Sequence, residues 1–278
     1  MGRDNRRPRR LGKDDHHPGR TAGERRNQAA LAAAYDREWS AAQTGQPYHT
    51  FWRFHPSARD AVERALGPLR GQQILDLGAG DGFTTLRLAR RGARVIALEL
   101  SHGGLRTIGA RAASAGFAAT VAPLRADAQQ LPLATATVDL VYGENFLMYV
   151  DPATIGREAA RVLKPGGRAI FFEPTAHHPF IRLYRRFGSP YRGTAPRYFT
   201  IADIARLGAS FGTVTHEEHY LFSVLALPFA GYPFLFALAF RSLDRLDRLI
   251  TRVIPALRRF GWLTVVTLEV PTAADRRA

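Results

Sequence analysis

The chain has 278 residues, 46% hydrophobic and 23% charged, which is enough apolar material to bury a large core and excludes general disorder. It has no cysteine, so a disulfide framework, a thiolate nucleophile and Cys-ligated zinc or iron–sulfur centres are excluded. Lys and Arg number 39 against 24 Asp and Glu, and the resulting charge of +15 calls for an acidic partner or an anionic surface.

Residues 1–28 hold Arg3, Arg6, Arg7, Arg9, Arg10, Lys13, Arg20, Arg25 and Arg26 against Asp4, Asp14, Asp15 and Glu24, with no apolar periodicity, and read as a disordered basic tail. They contain no apolar run long enough for a secretory signal, although their arginines imitate a transit peptide; a cytoplasmic chain is expected. Helical spacing begins near Asn27 with Ala30, Leu31 and Ala34, and returns at Ala61, Val62, Ala65 and Leu66 before Gly67-Pro68. Beyond this point the pattern alternates. Strands are expected at 73–77, 94–100, 120–125, 138–142 and 168–173, and helices at 84–91, 103–115 and 152–163, the last closed by Lys164-Pro165-Gly166-Gly167. Such alternation implies an α/β, doubly wound sheet with helices on both faces. One domain is expected over 29–270, with a short tail at 271–278.

The strongest local signal is the run Ile74-Leu75-Asp76-Leu77-Gly78-Ala79-Gly80-Asp81-Gly82 closing the first strand. Its glycines let the backbone turn tightly and let a ligand approach where a Cβ would collide, at the mouth of a helix. Glu99 ends the next strand, where an acid accepts hydrogen bonds from ribose hydroxyls, so the pair reads as a nucleoside site. Asp76 and Asp81 flank the glycines and penalise a pyrophosphate, which favours a ligand carrying an ammonium and a sulfonium over a dinucleotide.

These blocks, together with VIALELS (95–101), ADAQQLPL (126–133), TVDLVYGENFLMYV (137–150) and LKPGGRAIFFEP (163–174), resemble the class I S-adenosylmethionine-dependent methyltransferases. The resemblance implies a Rossmann-like, seven-stranded sheet whose last strand is antiparallel, and S-adenosyl-L-methionine as cofactor. It places Asp76, Gly78, Ala79 and Gly80 around the methionine part and Glu99, with Leu100 beside it, at the ribose. Asp127 falls at the adenine amine with Ala128 supplying backbone, and Glu144 and Asn145 fall at the methionine and methyl end.

Methyl transfer from a sulfonium is an in-line displacement, so alignment of acceptor and methyl is the protein's main task. A general base is needed only for a poor nucleophile, and His177 or His178 after the fifth strand is the candidate, with Tyr149, His49 and Tyr35 behind them. His216 and His219 lie on an expected strand and read as structural. Gly143-Glu144-Asn145-Phe146 departs from the Asp/Asn-Pro-Pro-aromatic block used on exocyclic amines of bases and on glutamine, so DNA and protein-amide acceptors are disfavoured. A divalent metal would need grouped carboxylates beyond this strand, and no metal site is expected.

Strands at 213–223 and 262–270 are expected to form the final antiparallel pair, with an insertion over 224–261 between them. Residues 220–240 carry no charge, but Pro228, Gly231 and Pro233 interrupt them as a membrane span. Leu243, Leu246, Ile250, Val253 and Leu257 form an apolar stripe, and Arg241, Arg245, Arg248 and Arg252 a basic row. These elements are expected to cap the site, packed on the sheet or in peripheral contact with an anionic membrane, and point to a small, lipophilic acceptor, oxygen slightly favoured over carbon and nitrogen. Two other readings stay open: an RNA or ribonucleoprotein methyltransferase, for which the charge speaks although no RNA module is recognisable, and a non-catalytic S-adenosylmethionine-binding partner.

Overall fold

The structure is a computed structural model that describes residues 33, 56–187, 197–272 and 275. The basic tail, the helix expected around Ala30 and the candidates Tyr35 and His49 lie outside the described residues.

Helix α1 (Pro56–Leu66) buries Ala58, Ala61, Val62 and Leu66 on one face and ends where Gly67 takes a positive φ of 54°. Strand β1 (Gln73–Leu77) leads to α2 (Phe83–Arg90), β2 (Arg94–Glu99), α3 (His102–Ser114) and β3 (Val121–Arg125). Strand β4 (Val138–Glu144) passes through a short 3-10 turn at Leu147–Tyr149 into α4 (Pro152–Val162) and β5 (Leu163–Pro174). Then come α5 (Pro179–Phe187), α6 (Ile201–Gly208), β6 (Thr213–His219), α7 (Pro233–Val253) and β7 (Leu263–Glu269). The sheet order is β3-β2-β1-β4-β5-β7-β6, with β7 antiparallel to both neighbours and the other pairings parallel.

Alternating side chains feed two cores, one on each face. Ile74, Leu140, Tyr142, Ile170 and Phe172 pack with α1, α2 and α3, whereas Leu75, Leu77, Val141, Ala169 and Phe171 pack with α4 and α6. Each large apolar side chain so enclosed contributes roughly 1.5–3 kcal/mol.

Three boundaries differ from the sequence expectation. Strand β5 begins at Leu163, reading through the expected Pro-Gly-Gly stop with a register shift between Val138 and Leu140, and β4 runs on to Glu144. Strand β6 stops at His219 because Tyr220 adopts φ 66°, which breaks the extended backbone.

The insertion holds a 3-10 segment (Ser223–Phe229), α7 and a second 3-10 segment (Pro255–Phe260). Since β6 runs parallel to β5, it leaves the sheet at the carboxyl edge that also carries the glycine loop. The expected apolar stripe is divided: Leu243 packs against the core and Ile250 is half-buried, whereas Leu246 and Val253 are 43% and 72% exposed, and Phe236, Phe240, Asp244 and Asp247 supply the buried face of α7. Burying two carboxylates is tolerable because both are satisfied. Asp247 accepts from the backbone N–H of Leu221, Phe222 and Ser223 and from the Ser223 hydroxyl, while Asp244 accepts from Ser57 Oγ at 2.6 Å and pairs with Arg248. His219 joins the same cluster through Nδ1, 3.3 Å from Ser57 Oγ, and His216 pairs with Glu218 on the strand.

Candidate active site

Between β1 and α2 the chain turns through Gly78, Gly80 and Gly82, all at positive φ. A Cβ on Gly78 would lie 2.7 Å from the Phe146 ring, so only glycine lets the loop after β4 close against it. Ala79 N–H donates to Leu98 O at 2.9 Å, tying the loop to the end of β2.

Four adjacent parallel strands bring one carboxylate each to this edge: Glu99 from β2, Asp76 from β1, Glu144 from β4 and Glu173 from β5. Asp76 is 2% exposed and accepts from Thr85 Oγ1 at 2.6 Å; burial pushes its pKa up to about 7, against the pull of the Thr85 hydroxyl and with Glu144 and Glu99 adding repulsion. Glu99 is buried with its two oxygens on Gly80 N–H (3.0 Å) and Ser101 N–H (2.8 Å), and burial raises its pKa while those amides oppose the shift. Glu144 is half-buried and accepts from Thr84 Oγ1 at 3.0 Å and Tyr142 O–H at 3.2 Å. Asn145 takes φ 51° and donates its N–H to Phe172 O.

Of the remaining nucleoside candidates, Asp127 is half-buried and braces its own turn by accepting Gln129 N–H at 2.9 Å, beside buried Ala128. Leu100 is half-buried, its carbonyl accepting from Arg125 Nε at 3.2 Å. Tyr149 is half-buried at the end of the 3-10 turn after β4.

Two sequence expectations are corrected. Asp81 pairs with Arg111 and accepts Phe83 N–H, so its charge is spent inside the protein and does not attract a cationic ligand. His178 is fully buried, its Nδ1 accepting from Ile181 N–H at 3.3 Å and its Nε2 lying 2.8 Å from Leu221 O. Both ring nitrogens are therefore committed to starting α5 and holding the chain after β6, and burial lowers its pKa, so it is unsuited to general-base work. His177 is exposed beside it.

Glu173 is the residue that sequence reasoning passed over. It is fully buried; Oε1 accepts both Phe146 N–H (2.8 Å) and Leu147 N–H (3.0 Å), and Oε2 has no hydrogen-bond partner among the described residues. Burial, reinforced by Glu144, pushes its pKa up to about 8. An acid inside the apolar run Ile170-Phe171-Phe172-Glu173 was the available signal, since Glu is seldom enclosed without a task.

A sheet of this order with a glycine turn and ribose-type acid at its carboxyl edge defines a Rossmann-like, nucleoside-binding fold. Residues 75–171 match the family model described as a methyltransferase domain. A demethylmenaquinone methyltransferase from Clavibacter sepedonicus is 34% identical over 157 residues, covering 56% of this chain and 59% of that protein. A ubiquinone biosynthesis O-methyltransferase from Aeromonas salmonicida is 28% identical over 200 residues, covering 68% and 81%. In fold, the chain resembles a geranyl diphosphate C-methyltransferase from Streptomyces coelicolor, with a TM-score of 0.59, 14% identity and coverage of 92% and 99%. Residues 75–171 thus carry a methyltransferase domain, and the sheet around them has the fold of the class I S-adenosylmethionine-dependent methyltransferases. It spans 28% and 59% of the lengths of the first two curated relatives that it matches.

The residues present fit that family's methyl donor. The space that a Cβ would take at Gly78 and Gly82 is filled by Phe146 and Ile108, so these glycines serve the tight turn and not, as the sequence suggested, a ligand's approach; Asp76, Glu99 and Glu144 supply carboxylates for an ammonium and a sulfonium together with acceptors for ribose hydroxyls. Among the described residues, no group of three or more acids and histidines is disposed to hold a metal ion.

Proposed function

We propose that the chain transfers a methyl group from S-adenosylmethionine to a small, lipophilic acceptor, with oxygen slightly favoured over carbon and nitrogen as the atom methylated. The observation that carries this reading is the shared edge: the carboxylate-lined glycine turn and the apolar insertion both leave the sheet at the ends of parallel strands. The relatives named for quinone methylation support the acceptor class.

When bound, the cofactor supplies a methyl on an activated sulfonium, and the chain supplies placement. Asp76, Gly78, Ala79 and Gly80 hold the methionine part, Glu99 and Leu100 the ribose, Asp127 and Ala128 the adenine. Glu144 and Asn145 line the methyl end, where Glu173 fixes the following turn through its two amide bonds. Positioning of this kind replaces the entropy cost of bringing two reactants together. For a phenol or an enolisable carbon, exposed His177 is the base retained from the sequence reading, with Tyr149 behind it. The acceptor reaches the site along the insertion, which makes peripheral contact with an anionic surface part of the same reading.

Calorimetry with S-adenosylmethionine, followed by mass-spectrometric detection of S-adenosylhomocysteine and methylated product over a panel of phenols, quinols, prenyl compounds and RNA, tests it. Product from the apolar panel is expected. Cofactor binding with no product from any acceptor, or product from RNA alone, overturns it.

A further inference from the structure

The outer side of the insertion takes no part in the site described above. Around α7, at about 100° per residue, the residues facing away from the core fall into two neighbouring strips. One is apolar: Leu235, Leu238, Leu246, Leu249 and Val253 are 44%, 55%, 43%, 58% and 72% exposed. The other is basic, with Arg241, Arg245 and Arg252 all exposed. The segment entering the helix adds exposed Phe229 and Tyr232, and Phe234 in the first turn of α7, in line with the basic strip, is 84% exposed. Helix α5 presents a second face of the same kind at the same sheet edge, with Phe180, Leu183 and Tyr184 exposed, and it starts against this segment through the His178–Leu221 contact.

Exposed leucines in line along a helix oppose solubility unless something covers them. Charge selects the occupant. The basic strip repels the chain's own tail, whose residues 1–28 hold nine Lys and Arg against four acids, and it repels a second copy of itself. No helix among the described residues is long and apolar enough to cross a membrane, so the face suits contact along a surface and not insertion through it. Adjacent apolar and arginine strips match the acyl boundary and headgroups of an anionic leaflet.

We propose that the outer face of α7, with the segment leading into it, seats this protein on an anionic lipid bilayer, α7 lying in the plane of the interface. The carboxyl edge of the sheet then faces the leaflet, and an acceptor dissolved in the membrane enters from there. Only that last step rests on the lipophilic-acceptor reading; the docking itself is measured without turnover.

The test is flotation of the full-length chain with phosphatidylcholine vesicles, with and without phosphatidylglycerol. Recovery with the anionic vesicles, weakened by added salt, is expected. Replacing Arg241, Arg245 and Arg252 with glutamine is expected to reduce partitioning on the order of 100-fold, from about fivefold per arginine at an anionic surface. Leu238→Ser with Leu249→Ser is expected to abolish recovery, and both variants are expected to bind S-adenosylmethionine like the parent, which confirms their fold. Unchanged recovery of the variants overturns the proposal. So does loss of recovery only when Arg6, Arg7, Arg9 and Arg10 are replaced by glutamine in the full-length chain, or a concentration-dependent dimer that the leucine variant converts to monomer. Failure of methyl transfer with vesicle binding intact removes the acceptor reading and leaves this one standing.

Discussion

Replacing Glu173 with glutamine isolates the buried acid at the end of β5. The parent carboxyl, fully buried, is held up to about 8 from an ordinary 4.5, so the folded chain keeps a proton that the unfolded chain releases. Stability from this group is complete below pH 4.5 and is lost as pH rises through 8, at about 1.4 kcal/mol per pH unit. Between pH 5 and 8 this amounts to at most on the order of 4 kcal/mol. Glutamine keeps the Oε1 acceptor for the Phe146 and Leu147 amides and has no proton to lose. Urea melts from pH 5 to 9 are therefore expected to show the parent losing ground steadily to Glu173→Gln above pH 5. Asp76 titrates in the same window in both proteins, and its effect cancels in the difference. Glu173→Ala is expected to lie about 3 kcal/mol below Glu173→Gln at every pH, because two buried N–H groups lose their acceptor at roughly 1–3 kcal/mol each. Parallel curves for the parent and the glutamine variant would refute the reasoning.

The affinity for S-adenosylmethionine is expected to rise about tenfold from pH 6 to 8, as Asp76 with its pKa of about 7 ionises beside a cationic ligand; calorimetry of Asp76→Asn should give a flat profile. Gly78→Ala combines a left-handed φ of 67° with a 2.7 Å contact to Phe146 and is expected to destabilise the chain by about 2 kcal/mol, read as a lower Tm and weakened cofactor binding. Asp247→Ala strips the acceptor from three backbone amides and is expected to cost roughly 3–5 kcal/mol, with hydrogen exchange at 221–223 rising first.

Much of this was legible in the chain. Apolar runs such as Ile74-Leu75 and Val95-Ile96 bounded by glycines, alternating with amphipathic helices, specify a parallel sheet because only strands covered on both faces are so uniformly apolar. The tight turn at positions 78 and 80 was readable too, because a backbone at positive φ demands glycine. What stayed hidden are pairings across long stretches of sequence. Nothing near Asp81 announces Arg111, and nothing near His178 announces the Leu221 carbonyl, yet those partners decide that neither residue is available to a ligand. The inward face of α7 stayed hidden for a related reason. Hydropathy assigns leucines to the core and aspartates to water, and Asp247 reverses this because three backbone amides left over at the turn after β6 need an acceptor more than the core needs a methyl group.

That anchoring has a consequence for how the insertion can move. Swinging α7 outward breaks three amide bonds and one hydroxyl bond to a charged group, at about 1.5 kcal/mol or more each, or roughly 6 kcal/mol in all. A conformer at that height is populated on the order of once in ten thousand molecules. The insertion is thus masonry and not a door at this joint: α7 and the turn at 221–223 shift as one block or not at all.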